Sequence, residues 1–175
     1  MPSFHPALLA GAIAVLVGGC AAEPVQAPPI APAAIQVPAG SVAFLEVFAD
    51  GVQIYECSRR PDSTYQWSLK APRAMLSDRS GKVLGKHYAG PTWEVADGSV
   101  VVGEVRSQAP SPAPVAIPWL LLAAKPGSAT GTFSDVKFVQ RLATVGGVAP
   151  ATGCSESTLK HQVDVPYTAT YVFYR

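Results

Sequence analysis

His87 is the residue in this 175-residue chain whose side chain is best suited to chemistry. An imidazole titrates near neutral pH and can act as a general base or a metal ligand. The surrounding segment, residues 85–93, reads Gly-Lys-His-Tyr-Ala-Gly-Pro-Thr-Trp, and its glycines and proline predict an irregular, exposed backbone. Tyr88 and Trp93 in this segment could line a groove for a sugar or an apolar ligand. In the alternative interpretation, His87 only donates a hydrogen bond that fixes the turn.

A catalytic or metal site would require partners for His87. His161 and a carboxylate, Glu94 or Asp97, could complete a mixed metal site, and the same two carboxylates could act in glycan hydrolysis. The sequence nevertheless contains no Gly-x-Ser-x-Gly nucleophile elbow and only two histidines after position 20. We therefore expect a non-catalytic binding domain with no metal and no cofactor. A small hydrolase or metal-dependent enzyme centred on His87 is the alternative.

Arg141 is a further binding candidate, beside His87, Tyr88 and Trp93, because it interrupts an otherwise apolar predicted strand. Its side chain either points to solvent or is buried, and a buried arginine must be paired. The sequence leaves open a structural ion pair and an anion-binding site.

Charge argues against nucleic acid as a partner. Lysine and arginine number 13 against 12 aspartate and glutamate, and charged residues make up 14% of the chain. Nucleic-acid binding requires a basic stripe that neutralises several phosphates. The longest run of basic residues is the pair Arg59-Arg60.

The amino terminus has the pattern of an export signal. Residues 7–19 form an apolar run that is too short to span a bilayer but suits a signal-peptide core, although no lysine or arginine precedes it. Residues 16–20, Leu-Val-Gly-Gly-Cys, resemble a bacterial lipobox. We expect cleavage of residues 1–19 and membrane attachment through lipid on Cys20, at the outer membrane facing the periplasm, with an unknown envelope ligand or protein as partner. The alternative is an ordinary secretory signal cleaved near position 21.

The number of cysteines is consistent with an exported lipoprotein. Lipid on Cys20 leaves the pair Cys57 and Cys154, and exported proteins form disulfides in an oxidising compartment. Their bond would close a loop of about 97 residues and stabilise the fold by roughly 4–5 kcal/mol in the chain-entropy model. Two unpaired buried thiols are the alternative.

The remaining sequence predicts a tether followed by one domain. Residues 20–38 are rich in proline and alanine and predict an extended, lipid-anchored tether. Residues 39–175 form a single all-β domain. A second proline-rich stretch, residues 109–118, predicts an exposed crossing loop.

Short strands fill this domain. Asp50-Gly51 and Asp97-Gly98 each lie between two strand-like runs, which predicts two hairpins. Alternation in residues 65–70 places Tyr65, Trp67 and Leu69 on one face, with Trp67 in the core. About nine strands, within a range of eight to ten, predict an antiparallel β-sandwich or barrel. Ten strand-like runs are the candidates for these strands: residues 41–49, 52–57, 65–70, 74–77, 82–88, 92–96, 99–105, 119–124, 133–144 and 167–174.

Seven segments together resemble the family of secreted bacterial and fungal proteins known as domain of unknown function 3455. They are residues 51–57, 85–93, 117–122, 139–141, 146–150, 153–154 and 165–175. The resemblance covers residues 35–175 and implies that Cys57 and Cys154 belong to the shared pattern. It implies no activity. Some members carry dehydrogenase names, but this chain lacks a Gly-x-Gly-x-x-Gly turn between a strand and a helix.

Overall fold

The computed structural model describes residue 1 and residues 30–175. The predicted signal peptide, Cys20 and the first part of the predicted tether therefore lie outside the described residues. Within the described part of the chain, no helix is long and apolar enough to cross a membrane.

Eight antiparallel strands form one closed barrel in which each strand pairs with its neighbours in sequence, and β8 closes against β1. The prediction of an all-β fold is confirmed, and the architecture is a barrel. The strands are β1 Ala43–Arg59, β2 Tyr65–Ser77, β3 Val83–Tyr88, β4 Thr92–Val95, β5 Val100–Ala109, β6 Trp119–Ala124, β7 Phe138–Gly146 and β8 Gln162–Tyr174. Short 3₁₀ turns occupy Ala33–Ile35, Gly131–Phe133 and Glu156–Thr158.

The predicted hairpin at Asp50-Gly51 is wrong, because β1 runs through this dipeptide without turning. Gly51 pairs with Ala74 on one side and Tyr167 on the other. A Cβ atom on Gly51 would lie 2.1 Å from the carbonyl oxygen of Arg73. The glycine therefore allows a close approach between neighbouring strands, which a side chain at this position would prevent.

The predicted hairpin at Asp97-Gly98 is confirmed and joins β4 to β5. Gly98 adopts a φ of 81°, and its amide donates to the carbonyl oxygen of Val95 at 2.9 Å. The Asp97 carboxylate accepts a 2.8 Å hydrogen bond from the amide of Ser99. The hairpin therefore forms with Gly98 in the left-handed region and Asp97 outside it, so it is not a two-residue type I′ turn over Asp97-Gly98.

The predicted crossing loop lies between β5 and β6, and its end is fixed to the barrel. Ala116 forms an isolated bridge with Gly147, and the Ile117 amide donates to the carbonyl oxygen of Gly146 at 2.9 Å. The Thr144 hydroxyl donates to the Ile117 carbonyl oxygen at 2.6 Å. This loop therefore follows β7 closely as it returns to the sheet.

Inside the barrel, alternating side chains form a core that is tightly filled in one region and open in another. Phe133, from the 3₁₀ turn between β6 and β7, stacks on Phe173 with ring centroids 4.8 Å apart. Both rings are fully buried, together with Val47, Val101 and Val139. None of these five side chains lines the cavity described below. The open part of the interior therefore lies elsewhere, around His87.

A second apolar cluster covers the outside of the barrel wall. Ile35, at the end of the first 3₁₀ turn, is fully buried among side chains that include Trp119, Leu142 and Val172. Residues 30–38 belong to the segment that we expected to extend without packing. In the structure, this part of the segment contacts β5 and β6.

The disulfide between Cys57 and Cys154 is present and ties β1 to the connection between β7 and β8. The core position predicted for Trp67 is wrong: the ring is only half-buried, and its Nε1 donates to the carbonyl oxygen of Thr152 at 2.8 Å. Leu69, on the same predicted face, is 55% exposed.

Candidate ligand-binding site

A cavity of about 370 Å³ occupies the open end of the barrel. Leu69 and Val105 stand at its rim and are 55% and 51% exposed. Trp93 and Tyr171 line it from positions that are almost fully buried, so the cavity extends from the surface into the barrel interior. Eight-stranded barrels have an interior wide enough to hold one small ligand.

His87 lies in this cavity wall and is not on an exposed loop as we predicted. It belongs to β3 and is 3% exposed. Its ring stacks on Trp93 with centroids 4.7 Å apart and planes inclined by 12°, and Tyr171 lies 5.0 Å away. The irregular backbone begins only after Tyr88, so the strand alternation turns His87 inward.

The His87 imidazole is neutral at physiological pH. Burial lowers the pKa of His87 to about 4. The hydrogen bond to Thr92 acts in the opposite direction and raises the pKa, whereas the positive charge of Arg141 lowers it further. Nδ1 lies 2.8 Å from the Thr92 carbonyl oxygen, which only accepts, so Nδ1 carries the proton and Nε2 is an acceptor. His87 is consequently a poor base at neutral pH.

Three buried polar atoms in the cavity wall make no hydrogen bond of normal geometry with any described residue. They are Gln53 Nε2, Trp93 Nε1 and the Tyr171 hydroxyl, the last of which lies close to Tyr167 and Arg141. Two other buried polar atoms share this state, the hydroxyl of Tyr167 and Nε1 of Trp119, the latter in the outer cluster. A buried polar group without a partner costs about 1–3 kcal/mol, so a cluster of them requires an explanation.

Arg141 forms no ion pair with any carboxylate among residues 30–175, which argues against the structural ion pair that the sequence left open. Its Nε and Nη2 donate to the Pro118 carbonyl oxygen at 3.0 and 2.8 Å. The guanidinium also lines the cavity, and its positive charge opposes the rise in the Tyr171 pKa that burial causes. An uncompensated positive charge therefore faces the barrel interior.

Tyr88 lies on the outer surface, away from His87, Trp93 and Arg141. Its hydroxyl donates to the Glu94 carboxylate at 2.9 Å, and Glu94 also pairs with Lys86 at 3.1 Å. The structure therefore brings three of the four predicted binding candidates into one cavity and excludes Tyr88.

The mixed metal site is not assembled. Glu94 faces outward, and the Asp97 carboxylate accepts a hydrogen bond from the Thr132 hydroxyl at 2.6 Å. His161 is exposed and lies next to the disulfide, where its carbonyl oxygen accepts from the Cys57 amide. Among the described residues, no three histidine, cysteine, aspartate or glutamate side chains are grouped as metal ligands.

Sequence reasoning missed Gln53 and Tyr171. Both lie on the inward face of their strands, at alternate positions with Gly51 and Ala169 respectively. The incorrect hairpin concealed this alternation for Gln53, because it ended the first predicted strand at Ala49. A polar residue on the inward face of a long strand is the signal that would identify Gln53.

A family profile described as Protein of unknown function (DUF3455) matches residues 38–175. The chain belongs to this family. The resemblance noted from the sequence is therefore confirmed. No curated protein and no solved structure matches the chain. The description of the DUF3455 family assigns no activity, so a functional hypothesis has to come from the barrel itself.

Proposed function

We propose that this protein is an exported, non-catalytic binding protein that holds a small organic molecule in the open end of its barrel. One observation carries the proposal: a cavity of about 370 Å³ is lined by two buried N–H donors without a partner among the described residues, by the Tyr171 hydroxyl and by a guanidinium that pairs with no described carboxylate. Small-molecule sites are typically concave, largely apolar and equipped with a few convergent polar groups. A bound molecule would supply the missing hydrogen-bond partners.

The chemistry of the site favours binding over catalysis. General acid–base catalysis requires a group with a pKa near the working pH, and His87 is held neutral with Nδ1 engaged by Thr92. No carboxylate lines the cavity beside it. The polar groups around His87 therefore recognise a ligand and do not transfer its protons.

The second part of the proposal is the localisation of the protein. Cleavage before Cys20 and lipid on its amino-terminal residue would attach the protein to the outer membrane, facing the periplasm. The disulfide is compatible with an exported protein, because disulfides persist in oxidising compartments. Intact mass spectrometry of the mature protein tests this part. The expected mass is that of an acylated chain beginning at Cys20, and an unmodified cysteine or a later start contradicts it.

The binding proposal is tested by filling the cavity. Leu120 lines it, packs against the interior core and pairs with Arg141 across the sheet, so Leu120→Trp places a larger side chain in the cavity. Met75→Trp is the matched control, because Met75 is 53% exposed and lies outside the cavity lining. Both variants are exported as full-length chains and released from the membrane.

Native mass spectrometry then detects any small molecule that remains bound. We expect wild type and Met75→Trp to retain a ligand that Leu120→Trp loses, together with a ligand-dependent rise in melting temperature in the first two. The proposal is overturned if wild type carries no molecule and behaves like Leu120→Trp throughout a ligand screen.

A further inference from the structure

We infer that the molecule held in the barrel is a compact monocarboxylate with an aromatic or branched apolar body. The inference rests on the proposed binding function and specifies its ligand class. Four features of the cavity lead to it: an excess of donors, a guanidinium edge that Pro118 does not occupy, a single net positive charge and a small apolar volume.

Donors outnumber acceptors in the buried part of the cavity. Gln53 Nε2 and Trp93 Nε1 are N–H donors, and the Tyr171 hydroxyl can donate as well. A carboxylate offers only acceptors, with room for about four hydrogen bonds on its two oxygens. A neutral alcohol or amide would bring donors of its own and satisfy fewer of these groups.

The guanidinium of Arg141 is oriented for end-on recognition. Pro118 accepts from Nε and Nη2, which form one edge of the planar group. The adjacent edge, formed by one N–H of each terminal nitrogen, can donate two parallel hydrogen bonds to a carboxylate. The contact with Pro118 also fixes the plane of the guanidinium, so little rotational freedom remains to be lost on binding.

Charge balance favours a monoanion. The cavity lining contains two cations, Lys70 and Arg141, and no carboxylate. Lys70 pairs with Glu56 at 2.9 Å outside the cavity, so Arg141 supplies the one uncompensated charge of the lining. Burying a second negative charge, as in a phosphate dianion, would leave that charge unpaired at a large desolvation cost.

The remaining lining describes the body of the ligand. Leu120, Leu122 and Pro72 contribute apolar surface, and the aromatic rings of His87 and Trp93 lie close by. A volume of about 370 Å³ is near the lower end of the usual range of about 300–1,000 Å³ for small-molecule pockets. A single ring or a short branched chain suits this volume better than a long acyl chain.

Calorimetry on the full-length exported protein tests the ligand class with matched pairs. Benzoate, phenylacetate and 3-phenylpropionate are compared with benzamide, phenylacetamide and 3-phenylpropanamide, which keep the shape of each acid without its charge. We expect the best acid to bind at least about tenfold more tightly than its amide, because charge-assisted hydrogen bonds are about twice as strong as neutral ones.

Two substitutions locate the effect. Arg141→Met is expected to weaken acid binding by about 10- to 100-fold while it changes amide binding little. Because Arg141 also donates to the Pro118 carbonyl oxygen, Arg141→Met could weaken binding by disturbing the fold. A second variant at a residue without such a contact controls for this effect. Gln53→Leu removes a donor that has no protein partner, and we expect acid binding to weaken by about three- to tenfold in a folded protein. Lys86→Met is the control for a cation outside the cavity lining, because Lys86 pairs with Glu94 on the outer surface, and it should leave acid binding within about twofold.

The outcomes separate this inference from the proposed function. Equal affinity for acids and amides, or inorganic phosphate binding as tightly as the best acid, overturns the monocarboxylate while the binding function stands. Acid binding that is insensitive to both Arg141→Met and Gln53→Leu overturns it as well. No binding of either series also overturns the inference, and the Leu120→Trp comparison then decides the proposed function independently.

Discussion

Two buried glutamines on opposite sides of the barrel wall differ in how their amides are satisfied. Gln140 lies beneath residues 30–38 on the outer face: Nε2 donates to the Ile35 carbonyl oxygen at 2.6 Å, and Oε1 accepts from the Tyr174 hydroxyl at 2.6 Å. Gln53 faces the cavity, and its Nε2 has no hydrogen-bond partner among the described residues. The two residues are equally buried, at 3% and 2% exposure.

Burial alone therefore does not distinguish a structural polar residue from a binding residue, whereas hydrogen-bond satisfaction does. A buried amide with its partners in place stabilises a unique packing arrangement. An amide without them carries a free-energy cost that a ligand can remove. The following predictions test this contrast, beginning with the largest expected effect on stability.

The outer face depends on the residue that covers Gln140. Ile35→Ala should lower the free energy of unfolding by about 2–5 kcal/mol, since it empties a fully buried site. Ile30→Ala is a matched control in the same segment, because Ile30 is 94% exposed and its loss should change stability by less than about 0.5 kcal/mol. Chemical denaturation of the two variants measures both effects. Equal stability of the two would show that residues 30–38 do not pack on the barrel.

The cavity side should contribute a pH dependence through His87. Its pKa falls from 6.5 to about 4 on folding, so the unfolded chain binds a proton that the folded chain does not between these values. This contribution to stability is present above pH 6.5 and is lost as the pH falls towards 4, by about 3 kcal/mol in total.

The His87→Phe variant isolates this contribution, because surface carboxylates whose pKa values are lowered, such as Asp78 and Asp97, remain in both proteins. Unfolding free energies measured from pH 7 to pH 4 should therefore fall less steeply in the variant. Parallel curves would show that His87 is not buried as a neutral imidazole.

On the outer face, Gln140→Leu should destabilise the protein by about 2 kcal/mol. The substitution preserves volume but leaves the Ile35 carbonyl and the Tyr174 hydroxyl without their partner. Thermal or chemical unfolding measures the loss. Unchanged stability would mean that these two groups find other partners. Gln140 would then not be a structural residue in the sense that distinguishes it from Gln53.

The cavity counterpart, Gln53→Leu, should have the smallest effect and the opposite sign. Removal of an unpartnered amide is expected to leave stability unchanged or to raise it by up to about 1 kcal/mol in the absence of ligand. Measured beside Gln140→Leu under the same conditions, a destabilisation of similar size in both variants would remove the distinction between the two sites.

Sequence patterns predicted the elements that depend on local chemistry. β6 was predicted with its observed bounds, as was the hairpin at Asp97-Gly98, because an apolar run and turn-forming residues act within a few positions. Asp50-Gly51 has the same turn signal, but β1 pairs with a strand on each side there. Only the three-dimensional context reveals that this glycine serves close packing.

The candidate site was predictable in part for the same reason. His87, Trp93 and Arg141 stood out by residue type, and the barrel brings them to one cavity. Their convergence depends on the closure of β8 against β1, which no local pattern encodes. Gln53 was missed because its importance lies in a hydrogen bond that the protein does not make.

The central claim, that the open end of the barrel binds a compact monocarboxylate, is tested most directly by a high-resolution crystal structure of the full-length protein grown with phenylacetate. We predict that the ligand occupies the cavity, with its carboxylate within hydrogen-bonding distance of both Arg141 and Gln53. Ordered water alone between these side chains at a saturating ligand concentration would contradict the account.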